Sequence, residues 1–275
     1  VSEIALVFGD LQAPLHDEAA LSVLLQVVSD LKPTRGVING DAVEFRHLSM
    51  RYPALKGDDG KKIGATAAEE AESAFRLLKE LTKASPKTKW TFNEGNHEWR
   101  LMRLARSIPQ FAEMLNLKNV KAVLGIQNVL GLDELGIKYS GEYPKGCWLF
   151  DRQPHNNVFV HHSFITRVKA GYHANAELDK RGAYNIVVGH GERLACVWRR
   201  DIADRRCFAI EGGSLSRLGE PQGAEIYTSV PFNQPEFLDR QQGFSVIYAD
   251  GNDYWPVLVP IHKGKAVFMG KLYRG

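Results

Sequence analysis

Nine side chains of the kinds that hold metal ions or move protons fall in five short clusters along the 275-residue chain: Asp10 with Gln12, Asp41, Asn96 with His97, His161 with His162, and His190 with Glu192. Carboxylates, amides and imidazoles gathered in one place suit divalent cations, and burying them without cations leaves charges uncompensated at several kcal/mol each. Two such ions about 3.5 to 4 Å apart, bridged by one carboxylate, span a phosphate ester, polarise its oxygens and lower the pKa of a water between them. The chemistry implied is phosphate-ester hydrolysis.

These residues meet only if the right elements carry them. Ile4–Phe8, Gly36–Asn39, Trp90–Phe92, Asn157–Val160 and Asn185–Val188 read as short, fully buried strands, and one polar cluster follows each. In parallel α/β sheets the carboxyl ends of the strands line one edge, so residues far apart in sequence converge there. Asp17–Leu31 is expected as a helix from the spacing of Ala20, Leu21, Leu24, Leu25 and Val28, and Pro33 ends it; Thr66–Leu81 is a second amphipathic helix. Helical spacing returns from Trp99 to Leu115, interrupted at Pro109, and Arg51–Lys62 has the composition of an exposed loop. Beyond about Phe208 the apolar segments 244–248, 255–260 and 266–269 predict strands, read as a second sheet layer packed on the first. With no linker or repeat, residues 1–275 read as a single domain with a helical insertion around 99–145.

Taken in order, Gly9-Asp10-Leu11-Gln12, Gly40-Asp41, Gly95-Asn96-His97-Glu98, His161 and Gly189-His190-Gly191-Glu192 resemble the signature of the calcineurin-like metallophosphoesterases. That family's pattern runs Asp-x-His, Gly-Asp, Gly-Asn-His-Asp/Glu, a lone His and Gly-His-x-His. Glu211-Gly212-Gly213-Ser214-Leu215 and the stretch Asp239 to Phe244 also look like a phage and bacterial branch of it. The resemblance implies a four-layer α-β-β-α sandwich of two mixed sheets flanked by helices. It also implies roles: Asp41 bridges two metals, Asn96, His161 and His190 complete one site, and Asp10, Gln12 and Glu192 complete the other. His97 then stands beside the substrate phosphate as proton donor or charge stabiliser, with His162 behind the ligands.

Two positions depart from the pattern, and both fall on one metal site. Gln12 stands where the family has His, and Glu192 where the last His belongs. Oxygen donors replace nitrogen there, so Mn²⁺ or Mg²⁺ suits it better than Zn²⁺, with Fe a further alternative. Arg100, Arg103 and Arg106, three residues apart, form either a basic ridge contacting substrate phosphates, with Arg100 beside Asn96 and His97, or a solvated helix face. The activity expected is hydrolysis by hydroxide held at a dinuclear centre, leaning to phosphodiesters of nucleotides or nucleic acid. Phosphomonoester hydrolysis is one alternative; a module that binds phosphate or nucleic acid without cleaving it, its metal site impaired at Gln12 and Glu192, is the other.

Composition narrows the classes without naming a partner. Thirty-five basic and 32 acidic residues leave +3, too balanced for a polybasic anchor, and 44% hydrophobic with 24% charged residues excludes disordered and fibrous classes. No apolar run reaches the roughly 18 residues that span a bilayer, so a soluble protein with no membrane partner is expected. Cys147, Cys196 and Cys207 form no CxxC pair; a reducing compartment, the cytoplasm of a bacterium or phage-infected cell, fits them.

Overall fold

Alternate residues of the first strand, β1 (Glu3–Phe8), part into two different cores, as the two-residue period of a strand buried on both faces requires. Leu6 and Phe8 join the larger core, while Ala5 and Val7 join one that also takes Val158, Val160, Val187, Phe208 and Ile210. A third apolar cluster unites Ala174 and Leu178 with Ile186, Val188 and Ala209. Three cores need four layers. The computed structural model describes residues 1–49, 65–165, 167, 169–181, 184–200, 206–218 and 239–275.

One outer layer holds α1 (Glu18–Leu31) and α2 (Ala67–Ala84). Asp17 caps α1 by accepting the Ala20 N–H at 2.9 Å, and Thr66 with Glu69 forms a capping box on α2. Beneath them lies a six-stranded sheet containing β1, β2 (Arg35–Asn39), β3 (Lys89–Asn93), β4 (Lys138–Tyr139), β10 (Gln242–Asp250) and β11 (Asp253–Ile261), in the order β11-β10-β1-β2-β3-β4. The facing sheet has five strands, β5 (Cys147–Trp148), β6 (Val158–His161), β7 (Asn185–Val188), β8 (Leu194–Arg200) and β9 (Arg206–Gly212), in the order β5-β6-β7-β9-β8. Helix α7 (Tyr172–Arg181) covers its outer face. This is the expected α-β-β-α sandwich of two mixed sheets. Four short helices, α3 (Trp99–Ser107), α4 (Pro109–Met114), α5 (Lys118–Leu124) and α6 (Ile126–Val129), intervene between β3 and β4.

The expectation that the C-terminal strands form the second sheet is corrected. β10 pairs antiparallel with β1, and β11 with β10, so they extend the first sheet; the second is built around β6 and β7, which were expected beside β1 to β3. Apolar alternation marks a strand as buried but carries no information about which edge it joins. A small hairpin of β12 (Lys265–Phe268) and β13 (Lys271–Arg274) packs on α1. The loop expected at Arg51–Lys62 lies outside the described residues. The three cysteines are free thiols. Among the described residues no helix is long and apolar enough to cross a membrane.

Candidate metal centre

The carboxyl ends of β1, β2 and β3 in one sheet and of β6 and β7 in the other face each other, and buried amides fasten them. Asn93 donates to Asn39 Oδ1 at 2.9 Å and to the Val160 carbonyl at 3.0 Å, and Asn39 donates to the His161 carbonyl at 3.0 Å. The loop after β2 must then pass close to the loop after β3. Gly40 has φ +81°, and a side chain there would run into Gly95 and His162; one on Gly95 would strike Asp41. Glycine at both positions is therefore a steric requirement.

Glu98 ties these two loops together. Its Oε1 accepts the N–H groups of Ala42 (2.6 Å) and Val43 (3.2 Å), and its Oε2 those of Asp41 (2.9 Å) and Gly95 (2.8 Å). Burial and then the Asp41 charge push its carboxyl upward, while the N–H bonds oppose them.

On this frame Asp41, His162 and His190 each offer a ligand atom, all within 4.8 Å of one another. His162 Nδ1 lies 2.8 Å from the Asn39 carbonyl, which can only accept, so Nδ1 carries the proton and Nε2 points inward. Nε2 is 3.3 Å from Asp41 Oδ2 and 3.0 Å from Asn96 Oδ1. Burial alone would lower His162, but Asp41 outweighs it and the ring is raised to about 10. Asp41 moves the other way: burial would raise it, and the His162 and His97 charges hold it well below the carboxylate range. Burial and the neighbouring His162 bring His190 down to about 3, keeping it neutral as a nitrogen donor must be. A proton on His162 Nε2 lies among three oxygen and nitrogen donors, the position a cation takes. The donor set fits one divalent ion.

His161 is the correction. Its Nε2 lies 3.4 Å from Glu177 Oε2, away from Asp41, and its ring stacks on Phe159 with centroids 5.3 Å apart. Val158 and Val160 point between the sheets, so the two-residue period sends Phe159 and His161 to the outer face under α7; His162, past the end of β6, faces inward. That alternation is the signal that distinguishes the pair.

The remaining expected ligands are nearby, each with one atom engaged by a neighbour and with Asp10 Oδ1 and Glu192 Oε2 buried without a hydrogen bond. Asp10 is 1% exposed; its Oδ2 accepts the His190 N–H at 3.3 Å, while Oδ1 is buried with no hydrogen bond. Burial, together with the Asp41 and Glu192 charges, raises its carboxyl well above the usual range against the pull of His162. Gln12 Nε2 donates to Glu192 Oε1 at 3.1 Å, and Arg240 Nη1 lies 3.2 Å from Glu192 Oε2. Asp10, Gln12, Asp41, His190 and Glu192 make up five of the nine non-glycine residues with positive φ among the described residues. Strained backbone of this kind gathers where side-chain direction is fixed by function.

His97 occupies the rim, its side chain 13% exposed. The Nε2 atom is 3.6 Å from Asp41 Oδ2 and Nδ1 is 3.1 Å from Glu44 Oε2. Burial would lower its pKa, and the Asp41 and Glu44 charges outweigh that and raise it. Glu44 is a functional candidate the sequence reading missed; its place three residues after Asp41, in the same loop, was the available hint. Arg100 does not reach the cluster: its Nη1 donates to the Glu44 carbonyl at 2.5 Å and lies 3.5 Å from Glu44 Oε1. Arg106 pairs with Glu142 at 3.3 Å, and Arg103 is exposed.

No family model matches the chain. It is 22% identical over 274 residues to the "Gene 54 protein" of Mycobacterium phage D29, spanning 96% of each chain. The protein of the same name from Mycobacterium phage L5 is 23% identical over 279 residues, spanning 99% of each. Among solved structures the chain is similar to Vps29 of Chaetomium thermophilum, with TM-score 0.45 and 12% identity over 95% of this chain and 90% of that one. It is also similar to Yfce, a phosphoesterase from E. coli, with TM-score 0.38 and 12% identity over 90% and 89%. A third is TT1561 of Thermus thermophilus, with TM-score 0.37 and 10% identity over 94% and 99%.

Proposed function

We propose that this protein is a metal-dependent phosphoesterase with a preference for phosphodiesters of nucleotides or nucleic acid. The observation that carries the reading is the meeting of Asp41, His162 and His190 within 4.8 Å, drawn from three strand ends and two sheets. A divalent ion, Mn²⁺ by preference, supplies Lewis-acid polarisation of the ester phosphate and an activated water when bound. Asp41, His162 and His190 are its holders, with Asn96 Oδ1 beside them. Asn39 fixes the His162 tautomer, so the ring presents Nε2.

His97 is the acid. Glu44 stands at Nδ1, which leaves Nε2 as the atom that gives its proton to the departing alkoxide. The charged form is favoured by Asp41 and Glu44, and Arg100 holds the Glu44 carboxylate from behind. Diester preference draws on the exposed Arg103, on the helix that follows His97, as a contact for a flanking phosphate.

A matrix of Mn²⁺, Mg²⁺, Zn²⁺ and no metal against aryl phosphate monoester and diester reporters tests the reading. Diester cleavage that needs the metal and disappears in His97→Ala is expected; monoester turnover alone refutes the diester preference. If both reporters stay intact with every metal while phosphate still binds, the protein is the binding module that the Gln12–Glu192 bond favours.

A further inference from the structure

The two-ion arrangement needs Asp10, Gln12 and Glu192 in addition to the shared Asp41. Two of these are occupied with each other, since Gln12 Nε2 donates to Glu192 Oε1 at 3.1 Å. The second Glu192 oxygen lies 3.2 Å from Arg240 Nη1. Glu192 Oε2 accepts no hydrogen bond, but a cation on it would stand next to the guanidinium, a like-charge contact in a partly buried setting. Apart from Glu192, what remains is Asp10, a share of Asp41 and the neutral Gln12 amide oxygen, a weak ligand, where a hard divalent ion takes about six ligands and draws several of them from protein. The Arg240 side chain is 33% exposed while Glu192 is 9% exposed, so the pair joins a buried carboxylate to a side chain that solvent reaches.

We infer that this chain holds one divalent ion, at Asp41, His162 and His190, and that the Arg240 guanidinium, held by Glu192, takes the place of a second cation as the anchor for a phosphate oxygen. A guanidinium fork is suited to that task, because it meets phosphate oxygens with paired N–H donors and keeps its charge at any working pH. Glu192 is then a positioning residue for Arg240 rather than a metal ligand. The inference deepens the phosphoesterase reading and rests on it.

The test uses the full chain and Mn²⁺. Equilibrium dialysis with metal analysis is expected to find one Mn²⁺ per chain, with the low-temperature electron paramagnetic resonance spectrum of an isolated ion. In the double variant Gln12→His, Arg240→Ala the count rises to two and the spectrum becomes that of a spin-coupled pair. In Arg240→Ala alone, inorganic phosphate binds the Mn²⁺-loaded protein about tenfold more weakly. Two coupled ions in the wild type overturn this inference and leave the phosphoesterase reading standing, whereas no bound ion overturns both. A single ion in the double variant, or unchanged phosphate affinity in Arg240→Ala, removes Arg240 from the role. Should the double variant not fold, the wild-type count and the phosphate measurement decide.

Discussion

Glu98→Gln keeps the length and shape of the side chain and changes one oxygen to an amide nitrogen. Each Glu98 oxygen takes two backbone N–H groups, one pair from Ala42 and Val43 and the other from Asp41 and Gly95. The carboxamide satisfies only one pair and turns its own N–H bonds on the other. Hydrogen bonds to a charged acceptor contribute about 1.5 to 3 kcal/mol each, so losing two removes roughly 3 kcal/mol even at the low end. Glu98 is 1% exposed, and water does not readily take over its partners. Urea unfolding should therefore show the global free energy falling by about 3 kcal/mol, with the melting temperature lower by roughly 6 °C. Because one loop carries Asp41 and the other Asn96 and His97, Mn²⁺ affinity should fall about tenfold with it. A loss below about 1 kcal/mol with unaltered Mn²⁺ affinity would show that the loops are held by something other than this carboxylate.

Adjacent histidines give a second prediction. His162→Ala should weaken Mn²⁺ binding by about 100-fold or more, while His161→Ala should leave it within about threefold and lower stability by roughly 2 kcal/mol through the gap beside Glu177; isothermal titration that ranks them the other way refutes the placement. The buried His173 sets a third. Burial brings its ring down to about 4 from 6.5, so the unfolded chain takes up a proton between those values that the fold resists. The stability it contributes is whole above pH 6.5 and is lost as pH falls towards 4, about 3 kcal/mol in all. His173→Leu should flatten that part of the profile, and parallel urea midpoints for both proteins at pH 7.5 and 4.5 would contradict a neutral buried ring.

Much of the site was legible because strand ends are legible. Short apolar runs stopping at Gly9-Asp10, Gly40-Asp41 and Gly189-His190 mark buried strands of an α/β sheet, and the topology of such sheets brings their carboxyl ends together. His161 stands nearer the strand, but the alternation of Val158 and Val160 turns it to the outer face, and that alternation rather than proximity decides which of the two histidines faces inward. Sheet membership was hidden for a different reason: β10 reaches β1 through backbone pairs more than 200 residues apart, such as Val7 with Ser245, and no local pattern encodes a partner. Arg240 lies within the stretch Asp239 to Phe244 and Glu44 three residues after Asp41, but neither place states a role. Their meaning lies in whom they meet, Glu192 and His97, and only the folded chain introduces them.

The left-handed backbone at Asp10, Gln12, Asp41, His190 and Glu192 sets a limit on how this protein can change. Glycine would relax each of these turns by about 1 kcal/mol or more, so at five positions the easiest route to a sturdier fold is also the route that deletes a side chain of the proposed site. Screens that select on thermal tolerance alone should drift towards glycine there and yield robust proteins stripped of the proposed ligands, and the tension between endurance and the proposed chemistry is written into the main chain rather than into the packing.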